Sequence, residues 1–141
     1  MLLNISYNEP SKIERIVAAV GKTFPLKERW KLKGIGSSKL IINSSSIDIH
    51  NLLVLDQNTN SCNVELRPKG IIVRFRSLLE TYALIIPYYK LKLYKGKAQE
   101  YSIYLDHYFI KVSVISKGDH AFFKKINDQK VLNSPPKIDD L

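Results

Sequence analysis

The sequence predicts a mainly β fold with flanking helices, an α+β domain built on a strongly bent antiparallel sheet or partly open barrel. Two observations support this prediction. Between positions 62 and 115, several short runs of strand-forming residues are separated only by tight polar or glycine turns. Amphipathic helical patterns flank this region, with an N-terminal helix at residues 11–20 and a C-terminal capping helix at 119–132.

The length and composition of the chain indicate one globular domain. Its 141 residues are 45% hydrophobic and 25% charged, as in an ordinary soluble protein. We expect one domain over residues 1–133, with its β core at 62–132 and a flexible tail at 134–141. No apolar run approaches transmembrane length, and no signal-peptide pattern opens the sequence. With Cys62 as the single cysteine, no intrachain disulfide can form, so we expect a cytoplasmic protein.

The N-terminal helix is predicted by a capping signal followed by a helical stripe. Ser11 and Glu14 fit a capping box, and Gly21 supplies a stop. Apolar residues recur between them at helical spacing: Ile13, Ile16, Val17 and Val20.

The segment between residues 22 and 60 carries weaker signals. The alternation of Trp30 and Leu32 with lysines predicts a half-buried strand over 29–35. Further strands are predicted at 39–42 and 47–55, separated by a polar patch at 43–46. Residues 57–61 are predicted to form a loop.

Strand faces can be assigned inside the β core. Ile71, Val73 and Phe75 alternate with Ile72, Arg74 and Arg76, so one face is apolar and the other is mixed and cationic. Residues 106–107 (Asp-His) predict a two-residue hairpin turn. In the C-terminal helix, Asp119 is the predicted cap, and the apolar side carries Phe122, Phe123 and Ile126.

Positive charge is concentrated on this β core. The chain has 22 Lys and Arg against 13 Asp and Glu, a net charge of +9. Glu80 is the only acid between residues 67 and 97, which favours anionic partners. If the strands pair as neighbours, their cations form one outward surface. We therefore predict an anion- or partner-binding site at Arg74, Arg76, Lys90, Lys92 and Tyr94. The alternative is a solvated face whose lysines protect the sheet from aggregation.

The segments VELRPKGIIVRF and LIIPYYKLKLYKG resemble those of bacterial pleckstrin-homology-like (PH-like) domains. In that pattern a strand ends in a glycine turn, here at residues 69–70, and a hydrophobic strand follows. An Ile-Pro-Tyr step, here residues 86–88, then precedes an aliphatic residue, here Leu91. The match covers residues 62–132, about half of the chain. The resemblance implies a strongly bent antiparallel sheet plugged at one end by the C-terminal helix. Domains of this kind bind phosphoinositides, peptides or other proteins.

The sequence therefore predicts a non-enzymatic binding or scaffolding module that holds an acidic protein or an anionic lipid headgroup. Nucleic acid is the second candidate partner, although no RNA-recognition signature is present. The third reading is a self-associating domain, a homo-oligomer formed through an exposed apolar strip of Ile72, Ile85 and Phe109.

Catalytic and metal-binding arrangements are poor. The sequence predicts that Cys62 lies in a strand. No sequence signal places it beside a histidine and an acid, as a thiol nucleophile would require. The three histidines have no metal-ligand spacing: His50, His107 and His120. We expect no enzyme activity, no metal and no cofactor.

Overall fold

The protein forms eight strands and four helices in a computed structural model that describes residues 1–55, 60–97 and 99–133. Most of the predicted loop at 57–61 and the predicted tail at 134–141 lie outside the described residues. The strands are β1 (Leu2–Asn4), β2 (Leu40–Ser45), β3 (Ser61–Arg67), β4 (Gly70–Ser77), β5 (Glu80–Pro87), β6 (Lys92–Lys95), β7 (Glu100–Leu105) and β8 (Tyr108–Ser113). The helices are α1 (Pro10–Val20), α2 (Leu26–Lys31), α3 (Ile47–Leu53) and α4 (Lys117–Leu132).

All strands belong to one antiparallel sheet in the order β1-β5-β4-β3-β2-β8-β7-β6. The predicted antiparallel β class is confirmed, and the sheet is open, without closure into a barrel. Strand β2 joins its two halves, since Leu40 pairs with Cys62 of β3 and Ile42 pairs with Val112 of β8. The β2–β8 register shifts between Ile42 and Ser44, as a β-bulge does when a strand changes direction.

The main core lies between the inner face of the sheet and helices α3 and α4. Inward side chains of β2–β5, β7 and β8 belong to one apolar cluster with these helices. The predicted C-terminal helix and its apolar side are confirmed, since Phe122, Phe123 and Ile126 are all buried. Phe123 stacks on Tyr101 of β7 with a ring-centroid distance of 4.4 Å.

The cap of α4 differs from the prediction. Ser116 is the N-cap, and its side chain accepts a hydrogen bond from the Asp119 N–H at 3.1 Å. Asp119 therefore lies inside the first turn, where its negative charge is favourable near the helix N-terminus.

Helix α1 packs on the outer face of the sheet, over β1, β4 and β5. Val20 is fully buried there with Ile72 and Ile85. The predicted helix is confirmed, but the predicted capping box is wrong. The N-cap is Glu9, without a side-chain hydrogen bond, because Pro10 already begins the helix. The predicted exposed strip is also wrong, because α1 and β1 cover two of its three members.

Two predicted strands are short helices. Helix α2 replaces the strand predicted at 29–35; it starts after Pro25 and ends where Lys33 and Gly34 take positive φ angles of 58° and 100°. Helix α3 replaces the strand predicted at 47–55 and buries Ile49 and Leu53 at i and i+4 spacing. Strand β2 is confirmed and continues through most of the predicted polar break. Among the described residues, no helix is long and apolar enough to cross a membrane.

Candidate functional site

Two of the predicted site residues lie on the outer face of β4. Arg74 is paired in register with Asn63 of β3, and Arg76 with Thr81 of β5. Their inward neighbour Phe75 is buried in the main core, so the strand alternation predicted from the sequence is confirmed here. Helix α1 covers one part of this outer face. Arg74 and Arg76 lie on the part that α1 leaves uncovered.

This uncovered part is a groove of about 830 Å³, which we call the outer groove. Its cations are Lys39, Arg74 and Arg76, and no acidic residue lines it within the part of the chain that the structure describes. Neutral polar side chains supply further hydrogen-bonding groups, and the β4–β5 turn closes one end. The lining residues are Lys39, Asn60, Ser61, Asn63, Arg74, Phe75, Arg76, Leu78, Leu79 and Thr81.

The cations of the outer groove differ in how far their charge is already neutralised. Arg74 Nη1 donates to Glu65 Oε1 at 2.7 Å, and Arg67 Nε donates to the other carboxylate oxygen. Among the described residues, Lys39 and Arg76 form no salt bridge. Lys39 and Arg76 are therefore the two groove cations that remain available to an incoming anion.

Glu65 holds Arg67 and Arg74 in place. Burial opposes ionisation of this carboxyl group, but the hydrogen bonds and charges of the two arginines outweigh burial, and the pKa of Glu65 is lowered. The carboxylate therefore stays charged at neutral pH and fixes the Arg74 guanidinium beside the groove.

The Glu65 cluster predicts an acid-dependent loss of stability. Because the folded-state pKa lies below the ordinary value of 4.5, the stabilisation is fully present above 4.5. It is lost as the pH falls through the folded-state pKa. In urea unfolding at a series of acidic pH values, Glu65→Gln is expected to reduce the dependence of the free energy of unfolding on pH. Glu14→Gln, which removes an exposed carboxylate, is the matched control. An unchanged slope in Glu65→Gln would contradict the assignment.

The other three predicted site residues lie elsewhere. The structure brings Lys90, Lys92 and Tyr94 together in a second cleft of about 570 Å³, the tyrosine cleft. Its lining residues are Tyr89, Lys90, Leu91, Lys92, Tyr94, Tyr104, Asp106 and Lys130. Lys90 Nζ lies 3.8 Å from an Asp106 carboxylate oxygen, which offsets part of its charge.

The prediction that the strands of these residues pair as neighbours is wrong, because β4 and β6 are not adjacent in the sheet. The binding role of the five residues stays a prediction. Strand β6 is the edge strand beyond β7, and four other strands separate it from β4 in the sheet order. Strands β4 and β6 are close in sequence, but β2 and β8 lie between them in the sheet. Arg74 and Arg76 belong to the outer groove, whereas the remaining three belong to the tyrosine cleft.

A third cleft adjoins the outer groove and was not predicted. Arg29 of α2 lines it together with Arg67 and Arg74, so we call it the arginine cleft. Its volume is about 440 Å³, and it shares Arg74 and Asn63 with the outer groove. The sequence reading missed Arg29 and Lys39 because it placed both in weak strand signals. Pro25 before α2 and Gly34 after it are the sequence signals that could have predicted a short helix.

Cys62 faces the main core, where burial raises the pKa of its thiol to about 12. The thiol is thus held in its protonated, weakly nucleophilic form at neutral pH. Within the described ranges, no three His, Cys, Asp or Glu side chains are grouped so that they could hold a metal ion.

Comparisons of the chain with protein-family models, with curated proteins and with solved structures gave no match.

Proposed function

We propose that this protein is a non-enzymatic binding module that holds an anionic group of its partner in the outer groove. The observation that carries the proposal is the groove lining, where the described residues include three cations and no acid. Two of these cations, Lys39 and Arg76, have no salt-bridge partner among the described residues. Several cations that line one groove act together on an anion, so an anionic ligand gains more here than at an isolated lysine.

The chemistry of the groove fits a carboxylate or a phosphate. A guanidinium group donates two parallel hydrogen bonds to either oxyanion, and a lysine adds a mobile charge. The side chains of Asn63 and Thr81 offer neutral donors on the same surface. An acidic protein segment and an anionic lipid headgroup share these oxyanions, and both fall within the proposal.

A PH-like identity and a cytoplasmic location belong to the same proposal. Two antiparallel meanders, β2 to β5 and β6 to β8, joined by the pairing of β2 with β8 and followed by a C-terminal helix packed on the core, support the resemblance seen at residues 62–132. The single buried cysteine is in keeping with a reducing compartment.

The proposal is tested by charge reversal at Arg76. We expect Arg76→Glu to weaken the binding of inositol hexakisphosphate and of a decaglutamate peptide at least about tenfold, because a charge-assisted hydrogen bond is lost and a repulsive charge is introduced. Isothermal titration calorimetry at low and raised salt measures the affinity and its salt dependence.

Lys95→Glu is the matched control, because Lys95 is an exposed cation on the far edge strand β6 and lines none of the clefts. We expect it to change the affinity less than about twofold, as for a screened surface charge. Equal losses in Arg76→Glu and Lys95→Glu would show that only the net charge matters and would overturn the groove as a site.

The tyrosine cleft favours single-stranded nucleic acid as a second candidate. Tyr89 is 82% exposed, and Tyr94 and Tyr104 meet edge to face with ring centroids 5.6 Å apart. Exposed rings beside lysines suit base stacking and phosphate contact. In the same titrations, an oligonucleotide signal that is lost in Lys92→Glu and kept in Arg76→Glu would favour this candidate over the outer groove.

A further inference from the structure

Helix α2 exposes a leucine and a tryptophan and buries none of its own residues. Leu26 is 80% exposed and Trp30 is 86% exposed, and the spacing of four residues places both on one side of the helix. They line a shallow, mainly apolar cleft together with Arg29 and Lys33. Isolated exposed leucines are ordinary, but a tryptophan and a leucine presented together on one short helix indicate a contact surface.

This exposure does not result from a loose segment, because α2 is fastened at both ends. Arg29 Nε donates to the Phe24 carbonyl oxygen at 2.8 Å, and Phe24 packs against the main core. At the other end, Lys125 Nζ of α4 donates to the carbonyl oxygens of Leu32 at 3.0 Å and Gly34 at 3.2 Å. The helix is thus held with its apolar side turned outward.

The surroundings of α2 are strongly cationic and continuous with the outer groove. Residues 22–33 contain five basic side chains and one acid, Glu28. Arg29 lines both the apolar cleft and the arginine cleft, and Arg74 lines both the arginine cleft and the outer groove. Leu79, which also lines the outer groove, is 89% exposed. Shared lining residues therefore connect the apolar side of α2 with the outer groove through the arginine cleft, which Glu65 also lines.

We propose that this surface docks on an anionic bilayer. Leu26 and Trp30 enter the interfacial layer, while anionic headgroups bind Arg29 and the groove cations Lys39 and Arg76, which form no salt bridge among the described residues; the inference rests on the anion-binding function proposed above. Tryptophan favours the membrane interface, and basic residues beside an apolar helix face are attracted by anionic lipids. This choice of partner rests on the charge complementarity and on the exposure of Leu26 and Trp30.

A second copy of the chain fits this surface less well. Two such surfaces would bring their basic residues against one another at a net charge of +9 each. Two apolar side chains on a helix about 9 Å long would also bury far less surface area than a stable protein interface does.

The test uses Trp30 as its own reporter, because it is the only tryptophan in the sequence. The full chain is mixed with vesicles of phosphatidylcholine alone or of phosphatidylcholine with phosphatidylserine. With the anionic vesicles we expect a blue shift of the emission and quenching by lipids brominated on their acyl chains. We expect neither with the neutral vesicles, nor with inositol hexakisphosphate, which reaches the groove without a bilayer.

Co-sedimentation of two variants measures the apolar contribution. Leu26→Ser is expected to lower the affinity for anionic vesicles about tenfold, since one leucine side chain no longer leaves water. Ile47→Ser is the control, because Ile47 is 67% exposed at the start of α3 and lines none of the clefts. The control is expected to bind as the unchanged protein does.

The outcomes separate this inference from the proposed function. Vesicle binding with unshifted Trp30 emission and no effect of Leu26→Ser overturns the role of α2 and leaves the groove proposal standing. Arg76-dependent binding of decaglutamate without any vesicle binding also overturns the inference and identifies a protein partner. If Arg76→Glu binds both anionic vesicles and polyanions as well as the unchanged protein does, the groove proposal and the bilayer-docking inference are both overturned.

Discussion

Gly70→Ala is expected to lower the free energy of unfolding by about 3 kcal/mol or more. A Cβ at Gly70 would lie 2.3 Å from the Ile86 carbonyl oxygen and 2.9 Å from the Pro87 Cα. It would also lie 2.5 Å from Val20 Cγ1, at the end of α1. Backbone atoms of a paired strand cannot rotate away, so either the β4–β5 register or the seat of α1 must shift.

Urea unfolding followed by far-ultraviolet circular dichroism measures this change. Gly118→Ala is the control, because the nearest atom to its added Cβ is the Ser116 Oγ at 3.9 Å and the position is in the first turn of α4. Alanine is the better helix former, so this control is expected to be neutral or stabilising by up to about 1 kcal/mol. Equal stability of Gly70→Ala and the unchanged protein would contradict the close approach of α1 to the sheet.

Phe123→Ala is expected to cost about 3–5 kcal/mol, as for other buried aromatic side chains. The ring is fully buried between the sheet and α4 and stacks on Tyr101. Its removal leaves a cavity in the main core and loosens α4, and α4 carries the Lys125 side chain that holds α2. The same variant is therefore expected to increase the mobility of α2 at low denaturant. Since Trp30 is already 86% exposed, a lower fluorescence anisotropy of Trp30 is the readout.

Two further variants on α4 serve as controls for the expected loss of stability. Phe123→Leu retains most of the volume and is expected to recover most of the loss. Val131→Ala removes an aliphatic group that is 72% exposed and is expected to stay within about 0.5 kcal/mol of the unchanged protein. A loss in Val131→Ala as large as that in Phe123→Ala would mean that α4 docks through another side.

The sequence was sufficient for elements with long or strongly alternating patterns. The pairing of β3 with β4 followed from the turn before Gly70, and the faces of Val73 and Arg74 followed from alternation. Helices α1 and α4 were found because both run for three turns or more. Their caps were missed, since Pro10 and Ser116 decide those ends through one or two local contacts.

The short helices and the candidate site depended on information that periodicity does not hold. Over the six residues of α2, a strand alternation and a helical turn look alike, and only Pro25 and Gly34 distinguish them. The sequence correctly identified Arg74 and Arg76 of β4 and Lys92 of β6 as outward residues, but Lys90, predicted in the same strand as Lys92, lies in the turn before β6. The sequence did not give the strand order, because the pairing of β2 with β8 joins segments far apart in the chain.

Strand β2 has a consequence for the way the chain folds. The hairpins β3–β4 and β7–β8 are local and close on a timescale of microseconds. Strand β2 completes its pairing only when β8 has been made and brought back, which requires the closure of a long loop. Until then, one edge of β2 presents unpaired backbone groups beside Ile42, a template for wrong pairing with other chains. We therefore expect the pairing of β8 with β2 to limit the folding rate and to set the interval in which the chain is open to aggregation.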